Sequence, residues 1–134
     1  MEQDLRKYSP VCLAFLGDGV YGLYVRAALV GEGNARAKEL HKKASSIVSA
    51  RAQARAMEAI EDILDEEEAD ILRRGVNARV NHQAKNATAG DYHKATGLEA
   101  LFGYLYLAGR EDRIKELVNI CIECPDDKEN EGSD

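Results

Sequence analysis

The run from Leu13 to Arg26, LAFLGDGVYGLYVR, carries a single acid, Asp18, in an otherwise apolar, glycine- and tyrosine-containing stretch. Leu13, Leu16, Val20, Leu23, Tyr24 and Ala27 recur at three- and four-residue steps, which predicts a helix with one buried face. Asp18 lies off that stripe, between Gly17 and Gly19. Two glycines inside a helix each cost about 1 kcal/mol relative to alanine. Small residues there let a phosphate backbone or a second helix come close. An acid in such a setting must meet solvent, a cation or a hydrogen-bond donor, because burying it unpaired is expensive.

The rest of the chain reads as helices arranged around this one. Ser9-Pro10 is a start signal, a hydroxyl N-cap followed by proline at the first helical position. The helix should run to about Val30, where Gly31-Glu32-Gly33-Asn34 breaks it. From Ala35 a second pattern, Leu40, Ala44, Ile47, Val48, Ala52 and Ala56, keeps helical spacing as one helix. Asp65 with Glu68 three residues on reads as a capping-box pair, so the acids from Asp65 to Glu68 are assigned to a helix start rather than to a metal. That helix carries Ile71 and Leu72 inward and ends at Arg73-Arg74-Gly75. Residues 75–90 lack an apolar period. Helix resumes at Asp91 with Leu98, Leu101, Phe102, Leu105 and Tyr106, dense enough to be central, and Gly109 ends it. A last amphipathic helix from Glu111 to Cys124 turns Ile114, Leu117, Val118 and Cys121 inward. No stretch reads as a strand and no repeat is visible, so the expected fold is a single all-α helical bundle over residues 1–124. The acidic tail, residues 125–134, is expected to be disordered.

With 134 residues the chain suits one domain with a real core. No uninterrupted apolar run reaches the roughly 20 residues of a membrane span. The first residues carry acids and lack a signal peptide's apolar centre, so a cytoplasmic protein with no membrane partner is expected. Three cysteines do not suggest a disulfide framework. Cys121 and Cys124 have C-x2-C spacing but lack a second pair of zinc ligands, and read as two thiols on a late helix. The net charge of -6 is unevenly spread. Residues 36–55 hold Arg36, Lys38, Lys42, Lys43, Arg51 and Arg55 against one acid. Residues 73–94 hold Arg73, Arg74, Arg79, Lys85 and Lys94 against one acid. That distribution leaves places where a polyanion could land despite the acidic sum.

Two acids, Asp18 and Glu99, thus sit in apolar, central helices. If those helices pack side by side, the carboxylates could share one Mg2+, which takes hard oxygen ligands and keeps several waters. The bound ion would lower the pKa of a water and stabilise charge growing on a phosphate.

Leu13 to Arg26, and Ala95 to Leu107 (ATGLEALFGYLYL), resemble the two signature segments of ribonuclease III nuclease domains. The similarity is greatest to the Mini-ribonuclease III branch, which lacks a separate double-stranded-RNA-binding domain. Leu40 to Ala44, Val48 to Ala54 and Arg73 to Ala78 also resemble that family, and the resemblance extends to about Cys121. It implies an all-α, homodimeric, Mg2+-dependent endoribonuclease that cuts double-stranded RNA and leaves 5′ phosphate and 3′ hydroxyl ends. Maturation of the large-subunit (23S) ribosomal RNA precursor is the implied task, with an accessory ribosomal protein as a possible further partner. Asp18 matches the family's catalytic aspartate and Glu99 its catalytic glutamate, and both are the implied metal ligands. Ordinary ribonuclease III carries two further acids at the positions of Ala14 and Thr96. Their replacement agrees with the Mini branch, and it leaves more of the metal's shell to water. It also keeps open an alternative, a catalytically degenerate helical module that only binds structured RNA.

The resemblance further implies that the first helix packs against its twin, with Phe15, Leu16 and Gly19 at the dimer interface. Read on its own, Phe15 would also serve as a core residue of its own subunit. With no second domain expected, RNA contact must come from the nuclease body; A-form duplexes are read by shape through 2′-hydroxyls and phosphates. Arg73, Arg74, Asn77, Arg79 and Lys85 are the candidates, with Lys42, Lys43 and Arg51 behind them. His82 and His93 are more readily loop or surface residues.

Overall fold

The computed structural model describes residues 4–78 and 88–124; the expected disordered tail and Arg79, Lys85 and His82 lie outside the described residues. Among the described residues there are six α-helices, two short 3-10 turns and no strand. The helices are α1 (Pro10–Gly31), α2 (Ala37–Val48), α3 (Ala50–Ile60), α4 (Glu66–Val76), α5 (Ala89–Leu107) and α6 (Glu111–Ile122).

The start signals act as expected. The Ser9 side chain accepts from the Cys12 amide, with Pro10 opening α1. Asp65 and Glu68 form a complete capping box at α4. A second box, between Thr88 and Asp91, starts α5 two residues before Asp91. At the far end of α5, Gly109 has φ +72, a conformation that disfavours a side chain. Its amide donates to the Tyr106 carbonyl and the Arg110 amide to that of Leu105, a Schellman closure.

The second helix is not one helix. Ser49 takes an extended backbone and its hydroxyl accepts from the Ala52 amide, so α2 ends and α3 begins within one residue. The apolar spacing carries across that point undisturbed, and one hydroxyl decides the break.

α5 is the centre of the bundle. Nearly every residue from Ala95 to Leu105 is buried, as expected for a helix that is apolar on every side. It packs against α1, α3 and α4. Two glycine pairs set the closeness of these contacts. A Cβ on Gly17 would lie 1.6 Å from the Glu99 carbonyl oxygen, and one on Gly103 would lie 2.0 Å from that of Leu13. Gly75 of α4 and Gly97 of α5 meet in the same way. Tyr21 lays its ring against Phe102, with centroids 5.1 Å apart. Each fully buried large side chain in this core contributes about 1.5–3 kcal/mol relative to exposure.

α1 departs from expectation in two respects. Its core stripe is Leu13, Ala14, Gly17, Val20, Tyr21, Val25 and Leu29, whereas Leu23 and Ala27 face outward. A helix apolar on more than one face satisfies several three-four patterns, and periodicity alone does not choose among them. By length and composition α1 is also long and apolar enough to cross a membrane, although 44% of that window is buried inside this fold.

Candidate functional site

Gly17 brings α1 against the backbone of Glu99 itself. The next residue along α1 is Asp18, so the contact that closes the helix pair also sets Asp18 beside Glu99. The two carboxyl groups are within hydrogen-bonding reach of one another. Asp18 is exposed and Glu99 half-buried, so the pair opens to solvent on the Asp18 side. Burial pushes the Glu99 carboxyl up to about 8; the charge of Asp18 and the hydrogen bond to it push the same way, and the Gln53 amide pulls back. Two carboxyls this close do not both ionise readily without a positive partner. Among the described residues, no lysine, arginine or histidine is ion-paired to either.

The donor set suits a hard, hydrated divalent ion: two carboxylates, one solvent-facing, with no basic side chain among the described residues ion-paired to them. Among the described residues no group of three or more His, Cys, Asp or Glu is placed to hold a metal, so Asp18 and Glu99 would leave most of the coordination to water. Ala14 is buried in the core, and the Thr96 hydroxyl donates to the Tyr92 carbonyl of its own helix at 2.9 Å. Neither position carries a negative charge that would replace an acid.

Gln53, part of the family-like segment Val48 to Ala54 but not among the expected site residues, belongs to this site. Its side chain is buried on α3 and its Nε2 lies 3.4 Å from Glu99 Oε2. Its residue-level signal is a long polar side chain in a run of alanines, Ala52, Ala54 and Ala56.

The acids of α4 take the structural role assigned to them. Glu68 is fully buried and receives two hydrogen bonds from Arg113, at 2.9 and 2.8 Å, and one from the Asp65 amide at 3.0 Å. Arg110 lies 3.5 Å away. Cys121 is buried, and burial pushes its thiol up to about 12.

The basic candidates separate by what they touch. Arg73 is exposed and paired with Asp70 on its own helix. The Arg74 guanidinium donates to the Tyr8 carbonyl at 3.3 Å, which ties the N-terminal turn to α4. Asn77 caps α4 and is exposed, as are Lys42 and Lys43 on α2. Arg51 lies in the first turn of α3, two residues before Gln53. Lys94 is held by Glu58 at 3.0 Å.

Phe15 is 85% exposed and so does not serve the core of its own chain. Val11, Leu23 and Val30 are exposed on the same helix. Leu16 is half-buried against the core, and nothing stands near a Cβ built on Gly19.

The Ribonuclease III domain family model matches residues 12–110. A Mini-ribonuclease 3 of Thermoanaerobacter is 45% identical over 86% of this chain and 81% of the relative. A Mini-ribonuclease 3 of Brevibacillus brevis is 45% identical over 88% of each. A crystal structure of a protein from Fusobacterium nucleatum superposes with TM-score 0.80 at 34% identity, covering 91% of this chain and 98% of that one.

Proposed function

The chain belongs to the ribonuclease III family, and on that premise we propose that Asp18 and Glu99 form the Mg2+-dependent centre at which it cuts double-stranded RNA. It is an endoribonuclease, and RNA is its substrate. The observation that carries the site is the meeting of these two carboxyl groups across the α1–α5 contact, with Asp18 open to solvent.

Asp18 and Glu99 would hold Mg2+, which when bound would lower the pKa of a water and compensate charge at the scissile phosphate. The protein's own part is positional. The Gly17–Glu99 contact fixes the spacing of the two carboxylates, and the exposed face of Asp18 receives the RNA strand. Glu99 must lose its proton before the pair carries its full negative charge. Attack by water with departure of the 3′ oxygen leaves 5′ phosphate and 3′ hydroxyl ends. The exposed basic residues Lys42, Lys43 and Arg73, with Asn77 and Arg51, suit contact with phosphates and 2′-hydroxyls of an A-form duplex.

The exposed apolar stripe of α1, led by Phe15, suits a homodimer in which each α1 packs on its twin. A change of Phe15→Ala should then shift sedimentation towards the monomer, and an unchanged sedimentation coefficient would exclude this interface. The physiological role in this reading is maturation of the large-subunit (23S) ribosomal RNA precursor in the cytoplasm, with an accessory ribosomal protein helping to present the RNA.

The decisive experiment is incubation of duplex RNA with the protein in Mg2+ and in EDTA, beside Asp18→Asn. Products in Mg2+ alone, lost in Asp18→Asn, support the reading. Binding without products in any condition would return the chain to a degenerate RNA-binding module.

A further inference from the structure

Gln53, Glu68 and Thr96 are the buried polar or charged residues among those described. The polar atoms of Glu68 and Thr96 have partners in the protein. Gln53 is different. Its side chain is 3% exposed; Nε2 donates to the Val48 carbonyl at 2.9 Å and reaches Glu99 Oε2 at 3.4 Å, while Oε1 has no protein partner. Turning the amide over would set its oxygen against the Val48 carbonyl, which can only accept. A buried acceptor without a donor costs about 1–3 kcal/mol. A leucine or methionine would fill the same space without that cost, so packing does not account for a glutamine here. The break at Ser49 starts α3 afresh and puts this side chain against α5, so the amide's place is built by the fold.

We propose that Gln53 is a positioning residue for the divalent-ion site. Its Nε2 holds Oε2 of Glu99 in place, and its Oε1 accepts a hydrogen bond from a water of the ion's hydration shell. The inference rests on the reading of Asp18 and Glu99 as metal ligands. It assigns to an uncharged amide part of the work that a third acid would otherwise do, since it restrains a ligand and anchors a water without adding negative charge to a crowded pair.

The experiment compares the parent protein with Gln53→Leu, and with Gln53→Met should the branched side chain fail to pack. Mn2+ serves as the probe, followed by electron paramagnetic resonance in the absence of RNA, beside thermal unfolding and Mg2+ titrations of duplex cleavage. Loss of such an outer hydrogen bond typically weakens metal affinity 10–100-fold. The expected result is Mn2+ affinity about tenfold weaker, a matching rise in the Mg2+ needed for half-maximal cleavage, and an unfolding midpoint at or above the parent's. A folded Gln53 variant with parental Mn2+ affinity overturns the proposal. A parent protein that binds Mn2+ yet cuts no duplex overturns the nuclease reading alone, and the Gln53 comparison still stands. A parent protein that binds no Mn2+ overturns both.

Discussion

Glu68 and Glu99 are both acids drawn into a helical core, and their surroundings are opposite. Glu68 has no solvent exposure, yet its oxygens take two hydrogen bonds from Arg113 and one from the Asp65 amide, with Arg110 alongside. Glu99 keeps an opening to solvent, but its neighbours are a second carboxyl group and one side-chain amide. Both oxygens of Glu68 have hydrogen-bond donors within the chain and its charge faces two arginines, so it has no need of an external partner. Around Glu99 negative charge is concentrated, and no basic side chain among the described residues is ion-paired to it. Burial therefore does not distinguish the two acids; the sign of the nearest charged neighbour does.

The largest effect that tests this contrast is at the uncompensated pair. Asp18→Asn or Glu99→Gln should reduce Mg2+-dependent cleavage of duplex RNA by about three orders of magnitude. Either change relieves like-charge crowding, so the unfolding midpoint should stay level or rise. A variant that keeps near-parental cutting would place the chemistry elsewhere, and one that loses activity only by unfolding would make Glu99 another Glu68.

The complementary change is Arg113→Ala. It strips Glu68 of its bidentate partner and leaves a buried carboxylate with only Arg110 and the cap amide. Removing one partner of a buried pair typically costs 3–5 kcal/mol; here the remaining partners should hold the loss to about 3 kcal/mol, read by urea unfolding. Cleavage per folded molecule should be unchanged. A stable Arg113→Ala protein would mean that Glu68 is not the buried charge its environment describes.

How much of this could be read from the residues depended on distance along the chain. The caps at Ser9, Asp65–Glu68 and Gly109 are local and were legible. The capping role of Glu68 was visible for the same reason, whereas its tie to Arg113, forty-five residues on, was not. The break at Ser49 was hidden because alanines on both sides keep the helical period and favour helix. Asp18 and Glu99 stood out as acids in apolar helices and as matches to a family pattern. Their meeting depends on Gly17 lying against the Glu99 backbone, and a glycine beside an acid reads equally as room for a phosphate, for a twin subunit or for a helix of the same chain. It is the last of these that the structure shows. Gln53 lies within the family-like segment Val48 to Ala54, but its place beside Glu99 follows from the Ser49 break and the α3–α5 contact together.

The smallest expected effect is also the one that turns on proton linkage. The Glu99 carboxyl, raised to about 8 by burial and by Asp18, holds its proton in the folded chain at pH values where an unfolded carboxyl, with a pKa near 4.3, has lost it. Between these values the folded state binds more protons than the unfolded state, so the contribution of Glu99 to stability falls as pH rises. That contribution is fully present below the unfolded pKa and is gone above about 8. The slope attributable to one group is at most about 1.4 kcal/mol per pH unit. It is isolated by subtracting the profile of Glu99→Gln from that of the parent between pH 5 and pH 9 in EDTA. Divalent-ion affinity should run the other way. An ion that needs the deprotonated carboxylate must displace the shared proton, so Mn2+ binding should tighten as pH approaches 8 and level off beyond it. Parallel stability profiles for the parent and Glu99→Gln, with Mn2+ affinity flat over the same range, would mean that Asp18 and Glu99 do not share a proton, and the contrast with Glu68 would lose its electrostatic basis.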